Sequence, residues 1–229
     1  MILDTIELRE KILSIVLQYP QYKLVGAYSI IKSMNNTTDW EPRATSDLDL
    51  RVCIDVQPER NINHLVEVLT NNNLLVYVKI TKNNNYKLII SDKENNKIKM
   101  DIEFKDGNDI QSNIKNISES LRDKMELVML ISDREFKNVV DVIICLQADF
   151  QKGISKKDLL TLFEGINLHP IDFDTLLHLA QKFKPQELNG LRMEEYAIIF
   201  DTLLTGLLYD DINEECIFKN FKWQYINDV

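Results

Sequence analysis

Arg43-Ala44-Thr45-Ser46-Asp47-Leu48-Asp49-Leu50 sets two carboxylates one residue apart inside an alternating run. Read as a strand, it places Asp47, Asp49 and Arg51 on one face and Leu48, Leu50 and Val52 on the other. The apolar face asks for a core. The acidic face asks for a cation, because two carboxylates held side by side repel each other. A hard divalent ion answers that need, since Mg²⁺ takes a few carboxylate oxygens together with the oxygens of a phosphate substrate. Phosphoryl or nucleotidyl transfer is the chemistry this implies; the plainer account is a strand with two solvated aspartates.

The flanking segments weigh on that choice. Upstream, Lys23-Leu24-Val25-Gly26-Ala27-Tyr28-Ser29-Ile30-Ile31 reads as a short strand, a glycine-alanine break and a helix. Small residues at such a break let a phosphate approach the amides that open the helix, and Ser29 adds a hydroxyl. Downstream, Lys97-Ile98-Lys99-Met100-Asp101-Ile102-Glu103-Phe104 alternates, with Lys99, Asp101 and Glu103 on one face. If this strand pairs beside the first, Asp101 becomes a third carboxylate on the polar face. A slip of one residue would put it in the core instead.

Together these pieces resemble the polymerase-β-like nucleotidyltransferase superfamily: a glycine-small turn, a helix, two acids alternating on a strand, and a third acid on a later strand. Within it the chain resembles the AbiEii/AbiGii-type family, toxins of type IV toxin–antitoxin and phage-abortive systems. Gly26-Ala27-Tyr28-Ser29-Ile30 corresponds to that family's G-G-x-A-L, with alanine for the second glycine. Arg43, Thr45, Asp47 and Asp49 match its R-x-[ST]-x-D-h-D in full. Lys124-Met125-Glu126-Leu127-Val128 follows K-x-x-A-h loosely. Phe136-Lys137-Asn138-Val139-Val140-Asp141-Val142 follows the last motif, with Asn138 in place of an aspartate. The likeness covers about residues 20–147.

Composition suits an ordinary globular enzyme. The hydrophobic fraction is 45%, and no apolar run nears the ~20 residues that span a bilayer. The first residues lack a basic segment and a cleavage site, so a cytoplasmic location is expected. Cys53, Cys145 and Cys216 are dispersed and read as reduced core thiols. His64, His169 and His178 share no ligand spacing with them, which removes a zinc site. A net charge of −9 argues against a broad nucleic-acid surface. Local clusters at Lys93, Lys97, Lys99 and Lys105, and at Lys152, Lys156 and Lys157, read as solvated charges.

Along the chain, residues 5–19 read as a leading helix, 35–39 as a polar loop, and 58–69 as a helix with Ile62, Leu65, Val66 and Leu69 as its stripe. Residues 74–80, 86–90 and 98–104 alternate as strands, split by turns at 83–85 and 94–96. From about residue 112 the period is helical. The expectation is an α+β protein: a nucleotidyltransferase core over residues 1–110, a mixed sheet flanked by helices, then a helical lobe over 111–229. Lys124 opens the apolar run 125–131, so it either extends to solvent or faces an anion. Asp141 lies four residues after Lys137, the spacing of a helical ion pair. Trp40 and Trp223 read as packing.

The resemblance implies a mechanism. Asp47 and Asp49 hold a Mg²⁺ that bridges the phosphates of an NTP. Asp101 helps hold a second ion or serves as base at the acceptor hydroxyl. Ser29, the amides near Gly26 and Ala27, and Lys124 balance the triphosphate, with Arg43 and Thr45 braced nearby. The acceptor is an RNA end or a protein hydroxyl, the partner an antitoxin encoded nearby, and no membrane is involved. Two alternatives stay open: an aminoglycoside-adenylyltransferase-like resistance enzyme, and a catalytically silent nucleotide-binding module.

Overall fold

The computed structural model describes residues 2–34, 40–54, 58–81, 85–106, 112–130, 135–209, 212 and 215–225. The expected loop at 35–39, turn residues Asn83 and Asn84, Ile131, and the side chains of Cys53 and Lys105 lie outside the described residues. The chain divides into two units, Met1–Ser33 with Ala44–Lys115, and Met34–Arg43 with Asn116–Val229.

In the first unit, α1 (Ile2–Val16) leads into β1 (Tyr22–Val25), α2 (Gly26–Ser33), β2 (Asp47–Ile54) and α3 (Pro58–Asn71). The strands β3 (Leu75–Ile80), β4 (Tyr86–Ser91) and β5 (Lys97–Asp106) complete it. They form one five-stranded sheet in the order β1-β2-β5-β4-β3. Only the β2–β5 pairing is parallel, so the sheet is mixed. Alternation sorts its two faces. Leu48, Leu50, Val52 and Met100 are fully buried, and Leu8, Ile12 and Leu13 of α1 join Ile62, Leu65 and Leu69 of α3 against them. Each such aliphatic side chain contributes roughly 1.5–3 kcal/mol on leaving water. The opposite face carries the charged alternates of β2, β4 and β5.

Local chemistry fixes the register of that face. The Asp92 carboxylate accepts from the amides of Glu94 and Asn96, both at 2.9 Å. Asn95 takes the left-handed φ of 66° that asparagine tolerates. This turn joins β4 to β5 and sets Ser91 opposite Lys97 and Lys87 opposite Asp101. At the far edge of the sheet, Leu24 bonds through its amide to Asn113 O at 2.8 Å and through its carbonyl to Lys115 N at 3.0 Å. Residues 113–115 thereby cover the open side of β1.

The second unit opens at α4 (Ile117–Met129), where Asn116 and Glu119 cap each other's amides at 2.7 and 3.0 Å. Then come α5 (Phe136–Asp149), β6 (Ile154–Ser155), α6 (Lys156–Leu162), α7 (Phe173–Lys182), β7 (Glu187–Leu188) and β8 (Leu191–Arg192). The unit closes with α8 (Met193–Leu208), β9 (Cys216–Lys219) and β10 (Lys222–Tyr225). α5 is buried on nearly every side, from Val139 through Leu146. Residues 40–43 belong here because Glu41 and Asn189 exchange hydrogen bonds at 2.7 and 2.9 Å. Trp40 also sets its ring edge-on to Tyr196 and Phe221.

The expectation of a helical lobe over 111–229 without clear strands is corrected. β10, β9 and β6 form a three-stranded sheet, and β7 and β8 pair as a ribbon. These strands run only two to four residues, too short for alternation to stand out against helical periodicity. The hairpin β9–β10 turns through Asn220 and Phe221 with φ of 49° and 66°; a phenylalanine in that conformation is no turn signal. Trp223 packs on α8 and donates to Thr202 O at 3.0 Å. Two smaller readings also change. Lys156 is buried, with Nζ donating to Tyr209 O at 2.8 Å and Ile212 O at 3.0 Å, so it is not a solvated charge. The apolar run from 125, whose residues suggest a mostly buried helix, instead gives an amphipathic α4, with Leu127 exposed and Met125, Val128 and Met129 buried. Cys145 and Cys216 are free and buried, and burial pushes the Cys145 thiol well up.

Candidate active site

The pairing of β2 with β5 sets Asp49 opposite Asp101 and Asp47 opposite Lys99. Residues paired across strands share a face, as do residues two apart along one strand. Asp47, Asp49 and Asp101 therefore lie on the same polar face of the first unit. Asp47 and Asp49 are half-buried, and the Asp101 side chain is 43% exposed.

One row crosses all five strands: Val25, Asp49, Asp101, Lys87 and Lys79. It runs from an apolar residue through two acids to two bases. Lys87 Nζ lies 3.0 Å from Asp101 Oδ1. That hydrogen bond raises the Lys87 pKa; slight burial opposes it, and the charges of Asp101, Asp47 and Asp49 add to it. Sequence reasoning missed Lys87, because only the register of β4 on β5 brings it to the acids. Two residues further along both strands on the same face, Arg51 of β2 pairs with Glu103 of β5.

Gly26 closes the other end of the acid row. Its φ is 69°, and a Cβ built there would lie 2.0 Å from Asp49 Oδ2. Both the conformation and the space require glycine. The chain turns directly from β1 into α2 against the Asp49 carboxylate, while Ala27 is buried within the first turn. Ser29 is fully buried, its Oγ donating to Gly26 O at 2.7 Å. Its hydroxyl reaches a phosphate only by leaving that carbonyl.

The start of β2 is held by its neighbours. Thr45 Oγ1 donates to Asp47 O at 3.5 Å, and Ser46 Oγ to Asp47 Oδ1 at 3.1 Å. Arg9, read from sequence only as part of the leading helix, donates from Nη2 to Ser46 O at 3.4 Å. Its guanidinium stacks 4.6 Å over the Tyr28 ring. Tyr28 Oη in turn donates to Glu10 at 2.7 Å. The signal was faint: an arginine on the buried side of an amphipathic helix.

Arg43 and Lys124 lie in the second unit and meet at Asp141. Arg43 Nη2 donates to Asp141 Oδ2 at 3.0 Å, with Nε 2.8 Å from Oδ1. Lys124 Nζ lies 2.9 Å from Asp141 Oδ2 and 3.4 Å from Asn138 Oδ1. Lys124 and Asp141 are buried, the Asp141 side chain at 2% exposure, and Arg43 is mostly covered at 13%. The helical pairing of Lys137 with Asp141 does not form; Lys137 turns to Glu135 instead. Lys124, expected from sequence at a triphosphate, is held within this unit by Asp141 and Asn138.

Among the described residues, no group of three or more acidic, histidine or cysteine side chains is gathered closely enough to hold a metal ion as it stands. A cavity of about 620 Å³ in the second unit, lined by Met129, Leu130, Ile166, Asn167 and His169 among others, contains none of the expected site residues. Among the described residues, no helix is long and apolar enough to cross a membrane.

No protein-family profile matches the chain, and no curated protein matches it in sequence. Among solved structures it is similar to the Cid1 poly(U) polymerase bound to MgATP, at 15% identity and a TM-score of 0.30. The match covers 80% of this chain and 50% of that one, so the chain spans about half the polymerase's length. A likeness of this size leaves the chemistry to be argued from the residues.

Two substitutions test the geometry. Gly26→Ala is expected to cost about 3 kcal/mol, from the left-handed backbone and the Asp49 clash combined. Chemical denaturation should show a smaller cost on an Asp49→Ala background, where the clashing carboxylate is gone. Asp141→Asn should cost about 3–5 kcal/mol, because it strands two largely buried cations. Arg43→Met should cost less, since it leaves Lys124 and Asp141 as a neutral pair. The same melts compare them, and a reversed order would contradict the cluster's charge balance.

Proposed function

We propose that the acid face of the first unit is a nucleotidyl-transfer site, taking a nucleoside triphosphate with Mg²⁺ and passing its nucleotidyl group to an acceptor hydroxyl. The observation that carries this reading is the register that sets Asp49 opposite Asp101, with Gly26 packed against Asp49. The donor set suits the ion: Mg²⁺ is commonly held by one or two carboxylates, with substrate phosphates completing its shell. The Lys87 ammonium beside Asp101 is a cation already standing where the charge requires one.

Asp47 and Asp49 would hold the ion, and Asp101 would serve a second ion or act as base toward the acceptor hydroxyl. Mg²⁺ bound there supplies charge stabilisation for in-line displacement at the α-phosphorus. Gly26 keeps side-chain bulk away from Asp49, and the amides opening α2 would be the donors to phosphate oxygens. Thr45, Ser46 and Arg9 fix where Asp47 starts the strand. Catalysis then comes from positioning and electrostatics rather than from a protein nucleophile.

The residues matching the AbiEii/AbiGii pattern support a narrower reading. It is a polymerase-β-like toxin acting on an RNA end or a protein hydroxyl, held in check by an antitoxin encoded nearby. The departure at Asn138 is compatible with it, because Asn138 still contacts Lys124. One observation favours a silent nucleotide-binding module instead: the carboxylates do not gather into a metal-binding group unaided.

Incubation with α-phosphate-labelled NTPs, Mg²⁺ and, in turn, cellular RNA, cellular protein and aminoglycosides separates these readings. Asp49→Ala is expected to lower transfer at least about 100-fold. It should leave the melting temperature nearly unchanged, since it removes one of several clustered like charges. Equal transfer by wild type and variant would contradict the site. NTP binding without transfer to any acceptor would establish the silent module.

A further inference from the structure

Lys87 belongs to none of the motifs that define the acid site, yet it makes a direct cationic contact with it. Nζ is 3.0 Å from Asp101 Oδ1, and the side chain keeps 33% exposure. A lysine so placed has four methylenes of slack and open solvent on one side, so the head can turn without disturbing the strand. Lys79 stands directly opposite on β3, and like charges set across a strand pair repel. That repulsion urges Lys87 toward Asp101. The turn at Asp92 fixes the register that makes the contact.

The charges along the row therefore read negative, negative, positive, positive, from Asp49 to Lys79. A divalent ion arriving at Asp49 and Asp101 would meet an ammonium already bonded to one of its ligands. Two cations cannot share that oxygen without repulsion. A phosphate arriving with the ion would offer the displaced ammonium a new acceptor.

We propose that Lys87 is the resident counter-cation of the acid row: it competes with the divalent ion for Asp101 and turns to the substrate's phosphates once the ion is bound. This rests on the acid row being a metal site. It assigns Lys87 a positioning part: it holds the carboxylates ready while no metal is bound, and it links metal occupancy to nucleotide. The ion alone then binds weakly, and ion and nucleotide bind together.

The test is Mn²⁺ binding followed by electron paramagnetic resonance of the free ion, on the full chain, with and without a non-hydrolysable NTP. Without nucleotide, Lys87→Met should bind Mn²⁺ about tenfold more tightly than wild type, from removal of one unit charge near a partly exposed carboxylate. Lys87→Arg should behave as wild type. Lys79→Met changes net charge equally but lies one strand away from Asp101, and it should shift binding much less. With the nucleotide present, the advantage of Lys87→Met should shrink or reverse, because the phosphates lose their lysine. Circular dichroism confirms that each variant is folded.

Equal or weaker Mn²⁺ binding by Lys87→Met would overturn the proposal, as would an equal gain from Lys79→Met. If wild type binds Mn²⁺ and transfers nucleotide while Lys87→Met is unaltered, only the lysine's role fails. If neither protein binds Mn²⁺ with or without nucleotide, the metal-site reading fails with it.

Discussion

Like-charge repulsion is the constraint around which the first unit is arranged. Asp47, Asp49 and Asp101 share one sheet face, and nothing in hydrophobic burial favours placing them together. The opposite face supplies the stability that allows it, with Leu48, Leu50, Val52 and Met100 fully removed from water. Lys87 stands at Asp101 and the Ser46 hydroxyl at Asp47, while Gly26 packs closely against the Asp49 carboxylate. Groups held together at a cost, on a rigid scaffold, are what a site built for a divalent ion and phosphate requires.

The second unit solves the inverse problem. There two cations are gathered around one carboxylate, and Asp141 serves both. Arg43 is bound into this cluster, whereas Asp47, four residues later, begins β2 in the other unit. The stretch that first suggested the chemistry is thus also where the chain passes from one unit to the other. Trp40 and Glu41, fastened to Tyr196, Phe221 and Asn189, secure the segment ahead of Arg43.

Much of the first unit was legible in the sequence because β2 to β5 run six to ten residues, long enough for period two to show. Parity gave the faces of Asp47, Asp49 and Asp101. It did not give the register, which depends on the Asp92 turn and on the parallel seating of β5 beside β2. Lys87 was invisible for the same reason, as its partner lies fourteen residues on, across a hairpin. Asp141 was misassigned because spacing along one helix suggested Lys137, while two cations distant in sequence hold it. The short strands of the second unit left too little pattern to read. Gly26 was legible as a break, but its packing against Asp49 needed coordinates.

The central claim is that one divalent ion and one nucleoside triphosphate meet on the acid face. Mn²⁺-induced broadening of backbone amide resonances, recorded with a non-hydrolysable NTP, tests it most directly. The account predicts strong broadening of Gly26, Ala27, Asp47 to Asp49, Lys87 and Asp101, and its loss in the Asp49→Ala protein. Broadening centred elsewhere, such as on Glu194 and Glu195 at the start of α8, or none at any concentration that saturates the nucleotide, would contradict it.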